Sequence, residues 1–352
     1  MSRDFVWRDA GRTVVFGEGG VERAPELLAE QGIAEFELLS TPRALAEAPA
    51  LAAAATRVHE VGAGQVPDLA ADLLQGVIAI SPPIGGKWRS HPEAGGVTLV
   101  ALGGGRVIDT AKAIASVTEA DVAAIPTTMS GAELTTIHRL PAGAEDRAGP
   151  RVRPRLVIAD PEAMTSQPEP LLRASSMNAL AHGADSLYTP LSNPVAEMAA
   201  LRGAALIAAA LDESPAQREP ADLAIGSILC GYAIDSAGFS LHHVVCQTLV
   251  RLCGTPHAET NAAILPHAVT LLSSRAPEAF GPLATALGTD FNGLEPRLLD
   301  LAGNPAPLSS LASDPANLDA ALEAMFTRPE LSHVPGLPLT QLDLAGLVSA
   351  AW

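Results

Sequence analysis

The chain has 352 residues, 48% of them apolar and 17% charged, and a formal net charge of -17. That is enough core for two domains, and the acidity speaks against nucleic acid or an anionic membrane as a partner, since either needs a basic face. No stretch reads as long and apolar enough to span a bilayer, and the opening MSRDFVWRD has no secretory layout. Three cysteines, Cys230, Cys246 and Cys253, lack zinc-type spacing and read as small buried hydrophobes, so a reducing, cytoplasmic setting is expected.

In chain order, the first half alternates short apolar runs with helical stretches. Runs at 13–16, 35–39, 76–80, 97–102, 122–125 and 156–158 predict strands, with helices at 21–30, 44–55 and 108–117 between several of them. This is the pattern of a parallel α/β sheet. The Gly- and Pro-rich segments 82–96 and 141–154 read as surface excursions. From about Pro161 the β-type runs vanish, and Ala/Leu-rich segments at 171–188, 194–211, 221–236, 257–273 and 342–351 predict an all-helical second half. Asp160-Pro161 supplies a turn and a helix start, which divides the chain into 1–160 and 161–352.

Four stretches carry chemistry. In the first, the run 97–102 feeds Gly103, Gly104 and Gly105, then Arg106 and Asp109 on a helix. Glycines let a backbone approach a pyrophosphate, and the helix N-terminus points its positive dipole end at it. A tight turn explains a lone glycine triplet equally well. The second, IPTTMSGAELT, gathers the hydroxyls of Thr127, Thr128 and Ser130 around Gly131, suited to ribose and phosphate oxygens. Together the two favour a nucleotide site, of neither the Walker nor the G-x-G-x-x-G type.

The third is SSMNALAHGADSLY, in which a cap at Ser175 or Ser176 would put Asn178 and His182 on one helix face at i and i+4. The fourth, LHHVVCQTLVRLCGTPHAET, supplies His242 and His243 on one helical stretch and His257 after a Gly-x-Pro break. A single histidine of this kind is most simply a satisfied core residue. Four, in a chain that also carries a nucleotide cradle, point to chemistry.

In order and spacing the four motifs resemble the iron-containing alcohol dehydrogenase superfamily, which shares its fold with dehydroquinate synthase and glycerol dehydrogenase. The resemblance implies a Rossmann-like α/β domain, a helical domain and an active site in the cleft between them. It also implies a nicotinamide cofactor, and by family analogy a homodimer. Metal-dependent relatives use an Asp and a His four residues apart plus two later histidines. The matching positions are Asn178, His182, His243 and His257, so a carboxamide replaces the carboxylate that would hold a divalent ion among imidazoles. No metal is therefore expected. The N-A-L-A-H, H-H-x-x-C and P-H-A-E-T stretches, with the tail 347–352, are instead similar to maleylacetate reductases, the metal-independent branch.

Some positions depart from the family pattern. Arg106 stands where relatives have Ser and either pairs with the pyrophosphate or crowds it; Ala132 replaces Ser, and Gln247 replaces a histidine near the reacting centre. The expected function is NAD(P)H-dependent reduction of a small anionic oxo-enoate. His243 and His257 are the first choices as proton donors, His242 and His182 serve the substrate or a second proton, and Asn178 and Gln247 line the substrate. The alternatives are a repurposed non-redox lyase or cyclase and a metal-dependent alcohol dehydrogenase. The second predicted strand runs into Thr41 and Arg43 with no acidic residue at its end, which leans the cofactor toward NADPH over NADH.

Overall fold

The structure is a computed structural model that describes residues 5–9, 11–74, 97–118, 120–144, 146, 149 and 151–352. The expected strand at 76–80 and excursion at 82–96 lie outside the described residues, as does part of 141–154. The chain divides into two compact units. One holds Met1–Thr128 and Ala132–Ser166, the other Met129–Gly131 and Gln167–Trp352.

The first unit is built on seven described strands in the order β1-β2-β7-β6-β5-β3-β4. These are β1 (Phe5–Asp9), β2 (Arg12–Phe16), β3 (Phe36–Ser40), β4 (Arg57–Glu60), β5 (Thr98–Gly103), β6 (Asp121–Pro126) and β7 (Leu156–Ala159). Only β1 runs antiparallel, against β2. Strand periodicity then sorts the side chains. Leu99, Ala101, Val122 and Ala124 face a layer that includes α4 (Val66–Leu74) and α5 (Gly105–Thr118). Val100, Leu102, Ala123 and Ile125 face α1 (Ala24–Glu30), α2 (Pro42–Glu47) and α3 (Pro49–Ala54) on the other side. Burial on both faces explains why the central strands read as unbroken apolar runs.

Three expectations change here. The helix at 44–55 is two helices, because Pro49 has no N–H to continue the ladder and holds Ala48 in an extended φ of -131°. Strand β4 and helix α4 were not foreseen: β4 is an edge strand with mostly exposed side chains, so its apolar signal is weak. The break between units falls beyond 160/161, since the short α6 (Pro161–Met164) stays with the sheet. Asp160 caps it through Glu162 N–H at 3.1 Å and also accepts from Val21 N–H.

The second unit has helices α7 (Glu169–Ser186), α8 (Pro194–Asp212), α9 (Pro220–Ala237), α10 (Leu241–Leu252) and α11 (His257–Ser273). They are followed by α12 (Pro277–Ala286), α13 (Leu294–Leu301), α14 (Leu318–Phe326) and α15 (Gln341–Ala351). Helix α7 is buried nearly all round and packs on α8, α9, α10 and α11. It begins at Glu169-Pro170, so neither Ser175 nor Ser176 is its cap; Ser175 instead accepts from Met129 N–H at 2.9 Å. The expectation that no stretch suits a bilayer is also corrected. By length and composition α8 is apolar and long enough, and half of that window is buried within the structure.

Helices α8 and α9 cross at glycines. A Cβ on Gly203 would stand 2.7 Å from Gly226 O and 2.7 Å from Cys230 Sγ. Gly203→Ala should therefore lower stability by about 1–3 kcal/mol despite the better helix propensity of Ala. Gly281 in α12 meets nothing within 4 Å, so Gly281→Ala should be neutral or raise stability by about 0.5–1 kcal/mol. Urea unfolding of both variants checks the pair, and equal shifts would contradict the close crossing.

Candidate active site

Parallel register brings Gly103 at the end of β5 beside Pro126 at the end of β6, and Thr127 N–H donates to Gly103 O at 3.0 Å. The carboxyl ends of such strands are where doubly wound sheets bind ligands. A Cβ on Gly103 would meet Val107 Cγ2 at 2.7 Å, and one on Gly104 would meet Thr128 Cγ2 at 2.9 Å. Only glycine lets this turn close onto α5, whose first turn accepts no side chain there. Gly105 and the exposed Arg106 open that helix, with the half-buried Thr127 and Thr128 alongside in sequence and space.

Asp109 is drawn away from that turn. It takes a 2.9 Å bond from Lys112 Nζ, and the fully buried Lys112 also donates to Ala132 O and Ile137 O at 2.9 and 2.8 Å. Three acceptors are what a buried ammonium needs, and the two carbonyls tie the end of the second motif and the residues after it to α5. Thr41 Oγ1 caps α2 by accepting from Ala44 N–H. Arg43 is exposed, donates to Ser166 O at 3.0 Å and lies 3.8 Å from Glu47.

The helical unit gathers the histidines. His182 on α7 stacks on His243 at 4.9 Å between ring centres, and His242 meets His243 edge-on at 5.1 Å. All three are buried. Gly131, with φ of +69°, lies so close to the first ring that a Cβ would stand 2.6 Å from His182 Cε1. Asn178 Nδ2 donates to Ser130 O at 3.2 Å, while Oδ1 is buried without a hydrogen-bond partner. His257 is exposed at the start of α11, and its carbonyl accepts from Asn261 Nδ2 at 2.7 Å. Gln247 accepts from Arg328 Nη2 at 3.4 Å, whose guanidinium also grips Glu330.

Three residues that sequence reasoning passed over hold this cluster. Asp185 Oδ2 lies 2.8 Å from His243 Nδ1, Tyr188 OH donates to Asp185 Oδ1 at 2.5 Å, and His242 Nε2 lies 2.8 Å from Asn261 Oδ1. A signal was present: Asn178, His182, Asp185 and Tyr188 follow one another at helical spacings of four, three and three. Burial and the neighbouring His243 push His182 well below the ordinary histidine value, and the same causes push His242 down to about 3. Burial alone would raise Asp185, but the bond and charge of His243 outweigh it and hold the carboxyl below the usual carboxylate range. Tyr188 is pushed well up by burial and by Asp185, so its phenol stays a donor.

A profile of iron-containing alcohol dehydrogenases matches residues 91–161, and one of the C-terminal region of the Fe-containing alcohol dehydrogenase family matches 173–308. The maleylacetate reductase of Rhizobium sp. (strain MTP-10005) is 33% identical over 341 residues, 92% of each chain. The chain belongs to the iron-containing alcohol dehydrogenase family. Within it the chain lies in the maleylacetate reductase-like branch and is an oxidoreductase. The maleylacetate reductase of Burkholderia cepacia is 34% identical over 90% of this chain and 89% of its own. The crystal structure of the Rhizobium enzyme superposes with a TM-score of 0.79 at 29% identity, covering 100% of this chain and 99% of that one.

The family name implies iron, and the donor set does not fit it. A hard divalent ion favours an anionic oxygen ligand beside its imidazoles. The matching position is the carboxamide Asn178, and the one buried carboxylate nearby, Asp185, is taken up by His243 and Tyr188. Among the described residues no group of three or more His, Cys, Asp or Glu is arranged to hold a metal ion. In the first unit a Cβ on Gly103 or Gly104 would collide with Val107 or Thr128, so the turn into α5 stays bare backbone, the form in which the pyrophosphate of a dinucleotide would be held.

Acid should weaken the fold through its buried histidines. His138, buried with Nε2 accepting from Val152 N–H, is pushed down to about 4 by its burial, joining His182 and His242. These folded-state values lie below the unfolded 6.5, so between pH 6.5 and about 4 the unfolded chain binds protons that the native one refuses. Stability is full above pH 6.5 and is lost as pH falls, with a limiting slope of about 1.4 kcal/mol per pH unit for each histidine. Urea midpoints at pH 7 and pH 5 measure this, and equal midpoints would refute it.

Proposed function

We propose that this oxidoreductase reduces a small oxo-enoate of the maleylacetate kind, with a reduced nicotinamide dinucleotide and without a metal. The observation that carries the reading is the buried imidazole cluster in which Asn178 occupies the would-be carboxylate position and His243 Nε2 and His182 Nδ1 have no protein partner. The names of the relatives support the same substrate class. Gly103, Gly104 and Gly105 with the first turn of α5 would hold the pyrophosphate. Arg106 adds a charge-assisted bond there, Asp109 holds Lys112 as it bonds the Ala132 and Ile137 carbonyls, and Thr127, Thr128 and Ser130 offer hydroxyls. When bound, the cofactor supplies a hydride to the alkene carbon β to the carbonyl.

Charge then develops on the carbonyl oxygen of the substrate, and His243 Nε2 meets it with a proton, assisted by His257. His182 and His242, kept neutral by burial, orient the substrate without adding positive charge, and Asn178 Oδ1 accepts from it. Gln247, on the same helix as His243, lines the substrate. The exposed Arg43, with the hydroxyl proton of Thr41, favours NADPH.

Mixing the protein with NADPH and maleylacetate should oxidise the cofactor, and oxidation should persist after dialysis against a chelator. Loss of activity restored by iron would instead establish the metal-dependent alternative. NADH binding tenfold tighter than NADPH would refute the role given to Arg43. His243→Ala and His257→Ala should each lower turnover by roughly 10²-fold, the size of a lost proton donor, with nucleotide affinity retained. Gly104→Val should abolish nucleotide binding, read by nicotinamide fluorescence. No cofactor oxidation with any 4-oxo-2-enoate overturns the substrate class.

A further inference from the structure

We propose that Asp185 and Tyr188 are positioning residues that lock His243 in the Nδ1–H tautomer and leave Nε2 as the ring atom that exchanges a proton with substrate. The tautomer stands on hydrogen bonds alone; its catalytic consequence rests on the reductase reading above.

The argument begins at the start of α10. The first N–H groups of a helix have no partners inside it, and here α7 supplies them from outside. Asp185 Oδ2 accepts from Ser240 N–H at 3.1 Å and from His243 N–H at 3.3 Å, while Tyr188 Oη accepts from Leu241 N–H at 3.1 Å. A carboxylate at a helix N-terminus is stabilised as an anion by the helix dipole. Asp185 is thus an acceptor at both oxygens: Oδ1 takes the Tyr188 proton and Oδ2 the two backbone protons. Its remaining short contact, 2.8 Å to His243 Nδ1, must then be donated by the ring. Two backbone N–H groups on Oδ2 and a buried phenol on Oδ1 hold the carboxylate in this rotamer. The ring cannot turn to present Nδ1 elsewhere.

His242 is held the opposite way. Asn261 Nδ2 donates to His257 O, which sets the amide so that Oδ1 faces His242 Nε2 at 2.8 Å and Nε2 carries the proton. Neighbours in sequence thus present different atoms, His242 a bare Nδ1 and His243 a bare Nε2, both buried and without protein partners. Only His243 has a carboxylate on its far nitrogen. As imidazolium it gives up the Nε2 proton: that N–H bond breaks, the electron pair stays on Nε2, and the proton goes to the substrate. Nδ1–H and the Asp185 charge are unchanged, and bulk solvent returns the proton after turnover.

The test is the imidazole proton of His243 in protein labelled with 15N-histidine, assigned by its absence in His243→Ala, together with steady-state kinetics. In the wild-type protein the neutral ring should show its proton on Nδ1. Asp185→Asn, which presents an amide N–H to Nδ1, should move it to Nε2 and lower kcat on the order of 10²-fold or more, with KM within about threefold. Tyr188→Phe should keep the Nδ1 proton and lower kcat by about tenfold. A wild-type ring protonated on Nε2 overturns the proposal without any variant, so failure of Asp185→Asn to fold does not shelter it. Asp185→Asn with wild-type kcat and a lowered melting temperature overturns it too, since that is a helix cap and nothing more. If the wild-type protein reduces no oxo-enoate, the substrate reading fails, while the spectrum still decides the tautomer.

Discussion

A full negative charge sits at Asp185 in the interior of the helical unit, and the placement of α7, α10 and the histidines follows from how that charge is answered. No single donor suffices for a carboxylate out of water. Asp185 collects a phenol from just past the end of its own helix, and an imidazole and two backbone N–H groups from the start of α10. The start of α10 is thereby fixed in register. Everything along that helix inherits its position: His242 and His243 in the first turn, Cys246 3.4 Å from His242 Nε2, and Gln247 reaching Arg328.

The sheet unit solves a mirror problem with the opposite sign. Lys112 is fully buried on α5 and answered by one carboxylate and two carbonyls. Those carbonyls belong to the second motif and to the residues just past it, so the same ion that would destabilise an apolar layer gives the loop a defined course. In both units a buried charge of one sign specifies where a functional segment begins, which apolar packing alone, being non-directional, does not do.

The sequence made the central strands and the long helices legible because their signals are strong. β5, β6 and β7 are apolar on both faces, and α11 begins and ends where Pro256 and the last periodic residue say it should. The exposed edge strand β4 and the short α12, α13 and α14 gave little pattern to read. Helix α7 was misjudged at its start for the opposite reason: it is buried all round, so the serines that looked like caps are interior residues bonded to Met129 and Leu172. The three clustered histidines were legible from spacing. Asp185 was not singled out, since an acidic residue on a helix is ordinarily solvated and only the fold reveals that this one never meets water. His257 was legible as a position but not in its exposure, which depends on where the chain turns after Gly254.

The residues that close the histidine cluster come from two distant parts of the gene. Met129–Gly131 belong to the helical unit although sheet-unit sequence lies on both sides of them. Ser130 supplies the carbonyl that orients Asn178, Met129 N–H engages Ser175, and Gly131 lies against His182. The helical unit is therefore not a transferable cassette. A fragment beginning at Gln167 would lack one wall of its own cluster, and recombination with a relative at the boundary near 166 would import a three-residue wall selected against a different set of helices. Any shuffling of this chain that preserves the cluster has to exchange those three residues together with the helices.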